Sequence, residues 1–339
     1  MYEFLNSSNA DEFESFVSSH ENGSFMQSPL WANVKANWGS EGVISRGEDG
    51  RVCGTCLVLV KKLPLIGSLL YAPRGPVFDH NDTGTLADIV CGIDVLAKKY
   101  RAFAATCDPP VSDGGLLQGA GFSHILTDEE RLIQCRSNYI LNLNGRTLDE
   151  IRAGFKPEYR NRISKAQRHG VWCEEYSGEN AVSLLDDFFA LMVQTGKRDG
   201  FPIRSKEYFE RFIRAFGELS RLFICYAETN GKTIPLSGAI TVNYGRKFSY
   251  VYGASGDLWR NLYPNYLMQW TMINAALKHG CHVYDFGGVP FYYDDTRREY
   301  GMYRFKKGFD GEVVTYAGQL TKIYRPTLYR AVYFMKCRL

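Results

Sequence analysis

With 339 residues the chain is long enough for two ordinary domains, and a composition of 45% apolar and 23% charged residues excludes a disordered or fibrous protein. A net charge of +3 excludes a nucleic-acid field over the whole surface while leaving room for a local one. Nine scattered cysteines, an odd number, fit reduced thiols in a cytoplasm rather than a disulfide framework. The chain opens on MYEFLNSSNADEFESF, acidic where an export signal needs a basic start and an apolar stretch. Glu48-Asp49-Gly50 then reads as a hairpin turn between GVISR and RVCGTCLVLV. Cys53 and Cys56 stand three apart on that second strand and so on opposite faces, against a redox or zinc pair. The apolar run from Cys56 to Leu70 is broken by Lys61, Lys62 and Pro64 and falls short of the roughly 20 residues of a membrane span. A strand GSLLYAP ends in the turn Arg74-Gly-Pro76. Thr83 to Tyr100 carries Leu86, Ile89, Val90, Ile93 and Leu96 at helical spacing, and the strand AFAATC runs into Asp108-Pro-Pro.

The second half repeats this order without repeating its letters. LFICYAET, a turn at Asn230-Gly231, IPLSGAITV, a turn at Tyr244-Gly245 and FSYVYGAS precede a helix from Tyr266 to Lys278, and HVYDFGGV closes the unit. His279, Cys281 and His282 have no second ligand pair at metal-finger spacing and are read as structural; no metal site is expected. Hairpin, strand, helix and strand, built twice, predict a mixed α/β fold with helices packed across mixed sheets. That order is compatible with the GNAT acyltransferase fold, where ligands lie between splayed central strands. Acetyl-CoA users of that fold carry an (R/Q)xxGx(G/A) loop before a helix, whose N–H groups hold pyrophosphate. Gln118-Gly-Ala-Gly121 is the nearest stretch and lies outside a strand-to-helix turn, which disfavours a CoA donor.

Charge is uneven. Tyr159-Arg-Asn-Arg-Ile-Ser-Lys-Ala-Gln-Arg168 holds four cations and no acid, and the tail from Lys322 adds Arg325, Arg330, Lys336 and Arg338 without a carboxylate. The first cluster suits either phosphate binding or a solvated helix face, and the lack of interleaved acids favours phosphate.

Six stretches, in order along the chain, resemble the FemABX peptidyltransferases. They are Met26-Gln-Ser-Pro-Leu-Trp-Ala-Asn-Val-Lys35, Tyr71-Ala-Pro-Arg-Gly-Pro-Val77, the basic segment from Tyr159 to Val171, Tyr252-Gly-Ala-Ser255, Tyr284-Asp-Phe-Gly-Gly288 and Tyr303-Arg-Phe-Lys-Lys-Gly-Phe309. The resemblance implies two GNAT-like domains in tandem. Residues 1–145 with 319–339 would form the acceptor-binding domain, completed by the C-terminal helix, and residues 146–318 the second. Between Ala181 and Leu222 two ordinary amphipathic helices replace the coiled-coil arm of some members, so the chain resembles the armless subgroup.

The activity implied is transfer of an aminoacyl group from aminoacyl-tRNA to the stem-peptide amine of a peptidoglycan precursor, either UDP-MurNAc-pentapeptide or its lipid-linked form. Aminoacyl-tRNA would be a co-substrate, with no other cofactor, and the protein would work in the cytoplasm, peripheral to the inner membrane face. An amine attacking an ester passes through a tetrahedral oxyanion, which a positioned cation stabilises. Phe305-Lys306 match the family's Phe-Lys pair, with Lys306 in that role. Asp108 matches an acid discussed as the amine's proton acceptor, Asp79 and Asp285 being alternatives. Lys35 and Arg204 match contacts to the acceptor's pyrophosphate. Tyr208, Tyr250 and Tyr252 match aromatic or hydroxyl contacts along the same groove, with core packing the alternative because FSYVY reads as a strand. Arg74 in the YAPRGPV stretch matches a further acceptor contact, whereas Phe103 lacks the hydroxyl of a relative's tyrosine. Arg160, Arg162, Lys165 and Arg168 would hold tRNA phosphates. Two rival functions are a GNAT-type N-acyltransferase with a CoA or carrier-protein donor and a non-catalytic module that binds precursor or tRNA.

Overall fold

The computed structural model describes residues 1–126 and 128–336. By contacts the chain divides into two units, Met1–Ser137 with the segment from Thr315 onward, and Asn138–Val314.

The first unit contains β1 (Tyr2–Phe4), α1 (Ala10–Ser19), α2 (Pro29–Val34), β2 (Gly39–Arg46), β3 (Val52–Leu63), β4 (Gly67–Ala72), β5 (Val77–Phe78), α3 (Thr83–Lys99), β6 (Ala102–Cys107) and α4 (Gly115–Gly119). Its sheet runs β1-β2-β3-β4-β6 and is closed by a strand from the end of the chain. The hairpin read from Glu48-Asp49-Gly50 forms, with β2 and β3 antiparallel, and β4 pairs parallel with β6. Both faces of β3 are covered, so its centre from Cys56 to Val60 is a continuous apolar run rather than an alternation. Asp82 caps α3 by accepting from the Thr85 N–H, and the stripe Leu86, Ile89, Val90, Ile93, Leu96 packs on the sheet.

The second unit adds β7 (Ser137–Asn142), α5 (Leu148–Gly154), α6 (Pro157–Arg168), β8 (Trp172–Tyr176), α7 (Gly178–Ser183), α8 (Leu185–Asp199), α9 (Lys206–Phe216), β9 (Ser220–Thr229), β10 (Lys232–Tyr244), β11 (Lys247–Ser255), α10 (Pro264–Lys278), β12 (Val283–Gly288), α11 (Tyr300–Lys306) and β13 (Glu312–Thr315). Its sheet order is β13-β7-β12-β11-β10-β9-β8. β7 lies inside this sheet, antiparallel to β12, so the chain enters the second unit at Asn138. One face carries the core built on α6 and α10, from Tyr159, Ile163, Leu267, Met272 and Ile273 to Phe309. The stretch between Ala181 and Leu222 forms no extended arm; α8 and α9 are 15 and 11 residues long and pack close to the sheet.

After the second unit the chain returns. β14 (Leu320–Ile323) pairs antiparallel with β6 through Leu320↔Cys107, and α12 (Pro326–Lys336) follows. Leu320 is fully buried in the first unit's core. Of the basic tail, Lys322 is committed to Asp94 at 2.8 Å, and the side chains of Lys336 and Arg338 lie outside the described residues. Among the described residues no helix is long and apolar enough to cross a membrane.

Candidate active site

The second sheet opens beside β12. β11 and β12 pair in parallel at Lys247↔Val283, Phe248↔Tyr284 and Ser249↔Asp285, and this pairing stops although β11 runs on to Ser255 and β12 to Gly288. Each residue of the YDFGG stretch has a task at this parting. The Tyr284 hydroxyl donates to Gln269 at 2.8 Å, and Phe286 fills the core. The buried Asp285 carboxylate accepts from Asn138 Nδ2 at 3.1 and 3.0 Å and from the Gly287 N–H at 2.8 Å. Gly287 turns the chain at φ +78°, where a side chain would also crowd the Tyr250 carbonyl at 3.3 Å.

Lys306 ends at this corner. It closes α11, is 7% exposed, and donates from Nζ to the Gly288 carbonyl at 2.7 Å. A buried ammonium is costly unless it is held by dipoles. Lys307 differs: it is only half-buried, with its ammonium 5.6 and 5.4 Å from the ring centres of Tyr300 and Tyr303. Phe305 stands edge-on to Tyr266 at 5.1 Å and Phe309 at 5.6 Å, so it anchors the helix end that carries Lys306. At Gly308 a Cβ would fall 2.1 Å from the Tyr159 ring, which explains the glycine of RFKKGF.

A second cluster lies on the α9 side of the same unit. The exposed Arg204 guanidinium is 5.3 Å from the Tyr208 ring centre, and the Tyr208 and Tyr252 hydroxyls share a 2.8 Å hydrogen bond. Burial raises both phenols above their usual range, so they stay neutral and can donate or accept. Tyr250 does not join them. Opposite Ile240 and Thr241, β11 carries Val251 as an extra residue, so Tyr252 packs on Phe209 and Phe212 whereas Tyr250 packs against the core on the α10 side. Burial pushes the Tyr250 phenol up to about 12. Tyr250 and Tyr252, read from the sequence as lining one groove, therefore occupy opposite faces.

In the first unit Ser28 caps α2, Pro29 occupies its first turn, and Lys35 follows its last residue with Nζ 4.5 Å from the Trp31 ring centre. The chain then turns, the Trp38 N–H donating to the Lys35 carbonyl at 2.8 Å. Trp38 lines a cavity of about 470 Å³ with Lys61, Leu69, Phe103 and Ile133. The conspicuous Gln27 of this stretch is structural: it is fully buried, donates to the Leu57 and Pro73 carbonyls, and accepts from the Leu57 N–H.

Asp108 and Arg74 are bound to each other's segment. The Asp108 carboxylate, 2% exposed, accepts from the Tyr71 hydroxyl at 2.7 Å and the Arg74 N–H at 2.6 Å. Burial raises its pKa, against the pull of Arg74 and these two hydrogen bonds. Arg74 itself is 8% exposed; its Nη2 donates to the Cys135 carbonyl at 2.8 Å and its guanidinium stacks 5.1 Å from the Tyr316 ring centre. Both residues thus brace the YAPRGPV loop, which accounts for their presence without a substrate. Asp79 is exposed and accepts from Asn81.

The basic segment forms α6, and its cations separate into two kinds. Arg160 Nη1 donates to the Ala153 and Phe155 carbonyls at 2.7 and 2.5 Å, capping the end of α5. Arg162 bonds the Tyr266 hydroxyl and lies among the Tyr159, Tyr263 and Tyr266 rings. Lys165 sits 5.0 Å from the Tyr263 ring centre, and Arg168 is exposed. Gln118-Gly-Ala-Gly121 lies at the end of α4, so its N–H groups do not open onto a helix start. Sequence reading passed over Trp38, Asn138 and the Gly288 carbonyl; the aromatic three residues past Lys35 was the available signal for the first.

These features agree with the comparisons. A model of the FemAB family matches residues 9–113, 115–231 and 226–336. A lipid II:glycine glycyltransferase of Staphylococcus aureus is 28% identical over 404 aligned residues, which cover 97% of this chain and 94% of that protein. Among solved structures, a crystal structure of FemX superposes with a TM-score of 0.88 at 27% identity, covering 97% of this chain and 99% of its own. A tandem GNAT protein from the clavulanic acid biosynthesis pathway, 10% identical with a TM-score of 0.56 over 95% of this chain and 98% of its own, shares the fold alone. The fold is therefore the expected pair of GNAT-like α/β units, and the chain belongs to the FemAB family.

Proposed function

We propose that this chain is an aminoacyltransferase that moves an aminoacyl group from aminoacyl-tRNA onto the stem-peptide amine of a peptidoglycan precursor during cross-bridge synthesis. Family membership supports the reaction class, and the lipid II:glycine glycyltransferase among its relatives makes a lipid-linked acceptor and a glycyl donor the first pair to test. The observation that carries the reading is the burial of Lys306 at the end of the parted β11 and β12, its Nζ 2.7 Å from the Gly288 oxygen. A cation held in a water-poor corner stabilises the oxyanion formed when an amine attacks an ester, or the ribose oxygen as it leaves. Arg204 is assigned to the acceptor's pyrophosphate, its guanidinium over the Tyr208 ring and the Tyr208 hydroxyl tied to Tyr252. Lys35 is assigned separately, within the first unit, to an acceptor phosphate. Lys165 and Arg168 are assigned to the phosphates of tRNA.

Purified protein is incubated with a panel of charged tRNAs and either the soluble or the lipid-linked precursor, and the products are weighed by mass spectrometry. A mass gain of one or more aminoacyl residues on the precursor is expected. A gain with acetyl-CoA and none with any aminoacyl-tRNA overturns the reading in favour of a CoA-dependent N-acyltransferase.

A further inference from the structure

The β3–β4 hairpin of the first unit ends in Leu63-Pro-Leu-Ile66, and its apex makes no sense for a surface that meets only water. Leu65 is fully exposed, at 109% of its reference area, and its backbone sits at φ +65°, a conformation that glycine or asparagine adopts at lower cost. The chain thus accepts backbone strain to place an aliphatic side chain that packs against nothing in its own unit. Pro64 beside it is exposed, and Leu63 and Ile66 are half-buried.

Cations surround this tip. Lys61 and Lys62 lead into it on β3, their ammoniums 5.4 and 5.9 Å from the ring centres of Trp38 and Tyr100. β4 leaves it beside the start of β6, so Arg101 is brought to the same end of the sheet, its carbonyl 2.5 Å from where a Cβ of Gly67 would lie. Arg325 Nη1 lies 3.9 Å from that same Cβ position, and Lys98 and Lys99 end α3 next to Tyr100. Among the described ion pairs only Lys99 of this group has a carboxylate partner, Glu41 at 2.6 Å. Aromatic rings at Trp38 and Tyr100 stand under the lysines.

We propose that this end of the first unit docks on an anionic lipid bilayer, with the Leu63–Ile66 tip entering the headgroup region and Lys61, Lys62, Lys98, Arg101 and Arg325 facing acidic headgroups. Aliphatic tip, aromatic layer and cationic collar match the successive depths of a membrane interface. An RNA partner would use the same cations, but gains nothing from an exposed leucine at the apex. The docking would hold the protein where lipid-linked substrates are, yet it stands on the surface alone and not on the transfer reaction.

The test is flotation of the full chain with vesicles of phosphatidylcholine, with or without phosphatidylglycerol, in the absence of any donor or acceptor, so that its outcome is separate from that of the transfer assay. Partition into the anionic vesicles alone is expected. Leu65→Asp should lower it roughly tenfold, and Lys62→Glu roughly thirtyfold. Leu65→Gly relieves the backbone and should leave the protein at least as stable while partition still falls, which separates docking from folding. Leu65→Trp should shift its emission to the blue with anionic vesicles. The proposal fails if the wild type stays with the soluble fraction, if Leu65→Asp and Leu65→Gly float as the wild type does, or if Leu65→Trp emission is unmoved while a short RNA quenches it.

Discussion

Adjacent lysines show how little residue type says by itself. Lys306 and Lys307 are one helical step apart, about 100° around the axis, and that step separates a buried ammonium on Gly288 from a half-buried one over Tyr300. Lys306→Met should lower transfer at least a hundredfold with precursor affinity retained, and Lys307→Met should leave turnover within a few-fold; equal losses in the two variants would remove Lys306 from the chemistry. Lys35→Ala and Arg204→Ala should act mainly on the Michaelis constant for the precursor, since pyrophosphate is remote from the reacting atoms. Normal precursor binding in both variants would defeat that assignment. For Asp108, a native pKa raised by burial means that its contribution to stability is complete below the usual carboxylate range and is lost as pH rises through the elevated native value. The wild type should therefore lose stability relative to Asp108→Asn as urea unfolding is moved from acid to neutral pH, and an unchanging difference would show that the carboxylate titrates normally.

At the scale of elements, the extra residue in β11 decides which tyrosines share a surface. Alternation along FSYVY would put Tyr250 and Tyr252 on one face, but Val251 is an added residue and sends them apart. Deleting Val251 should cost roughly 3–5 kcal/mol, because Tyr252 would leave its place among Phe209, Phe212 and Tyr208; a small loss by thermal melting would show that β11 repairs its register. Helix α6 makes a similar distinction among cations. Arg160→Ala should cost about 1–2 kcal/mol of stability, through the α5 carbonyls it caps, with little effect on tRNA affinity. Lys165→Ala and Arg168→Ala should instead weaken tRNA binding and flatten its salt dependence, by about one unit of slope for each lost contact. Filter binding across a salt series separates the two.

For the whole molecule, the second unit is continuous in sequence and the first is not. Residues 138–314 expressed alone should fold cooperatively, whereas residues 1–137 alone lack β14, the partner of β6, and Leu320, part of their core. Far-UV circular dichroism with urea titration of both fragments checks this, and a cooperative transition in the 1–137 fragment would show that β14 is dispensable. The repeated order of hairpin, strand, helix and strand was legible because two-residue alternation, helical spacing and turn residues are local patterns, and the FemAB motifs lie on strands, caps and turns that those patterns locate. Less of the candidate site was legible. The amino-acid order by itself determined the two hairpin, strand, helix and strand units, which depend on neighbours within a few residues, and the family, through six short stretches in order along the chain. Only the tertiary structure decided that Lys306 is buried against Gly288, that Asp108 and Arg74 brace a loop, that Arg160 caps a helix and that Tyr250 turns from Tyr252. Those outcomes depend on partners brought together from distant parts of the chain, and burial, which sets what each polar group does, is a property of that assembly.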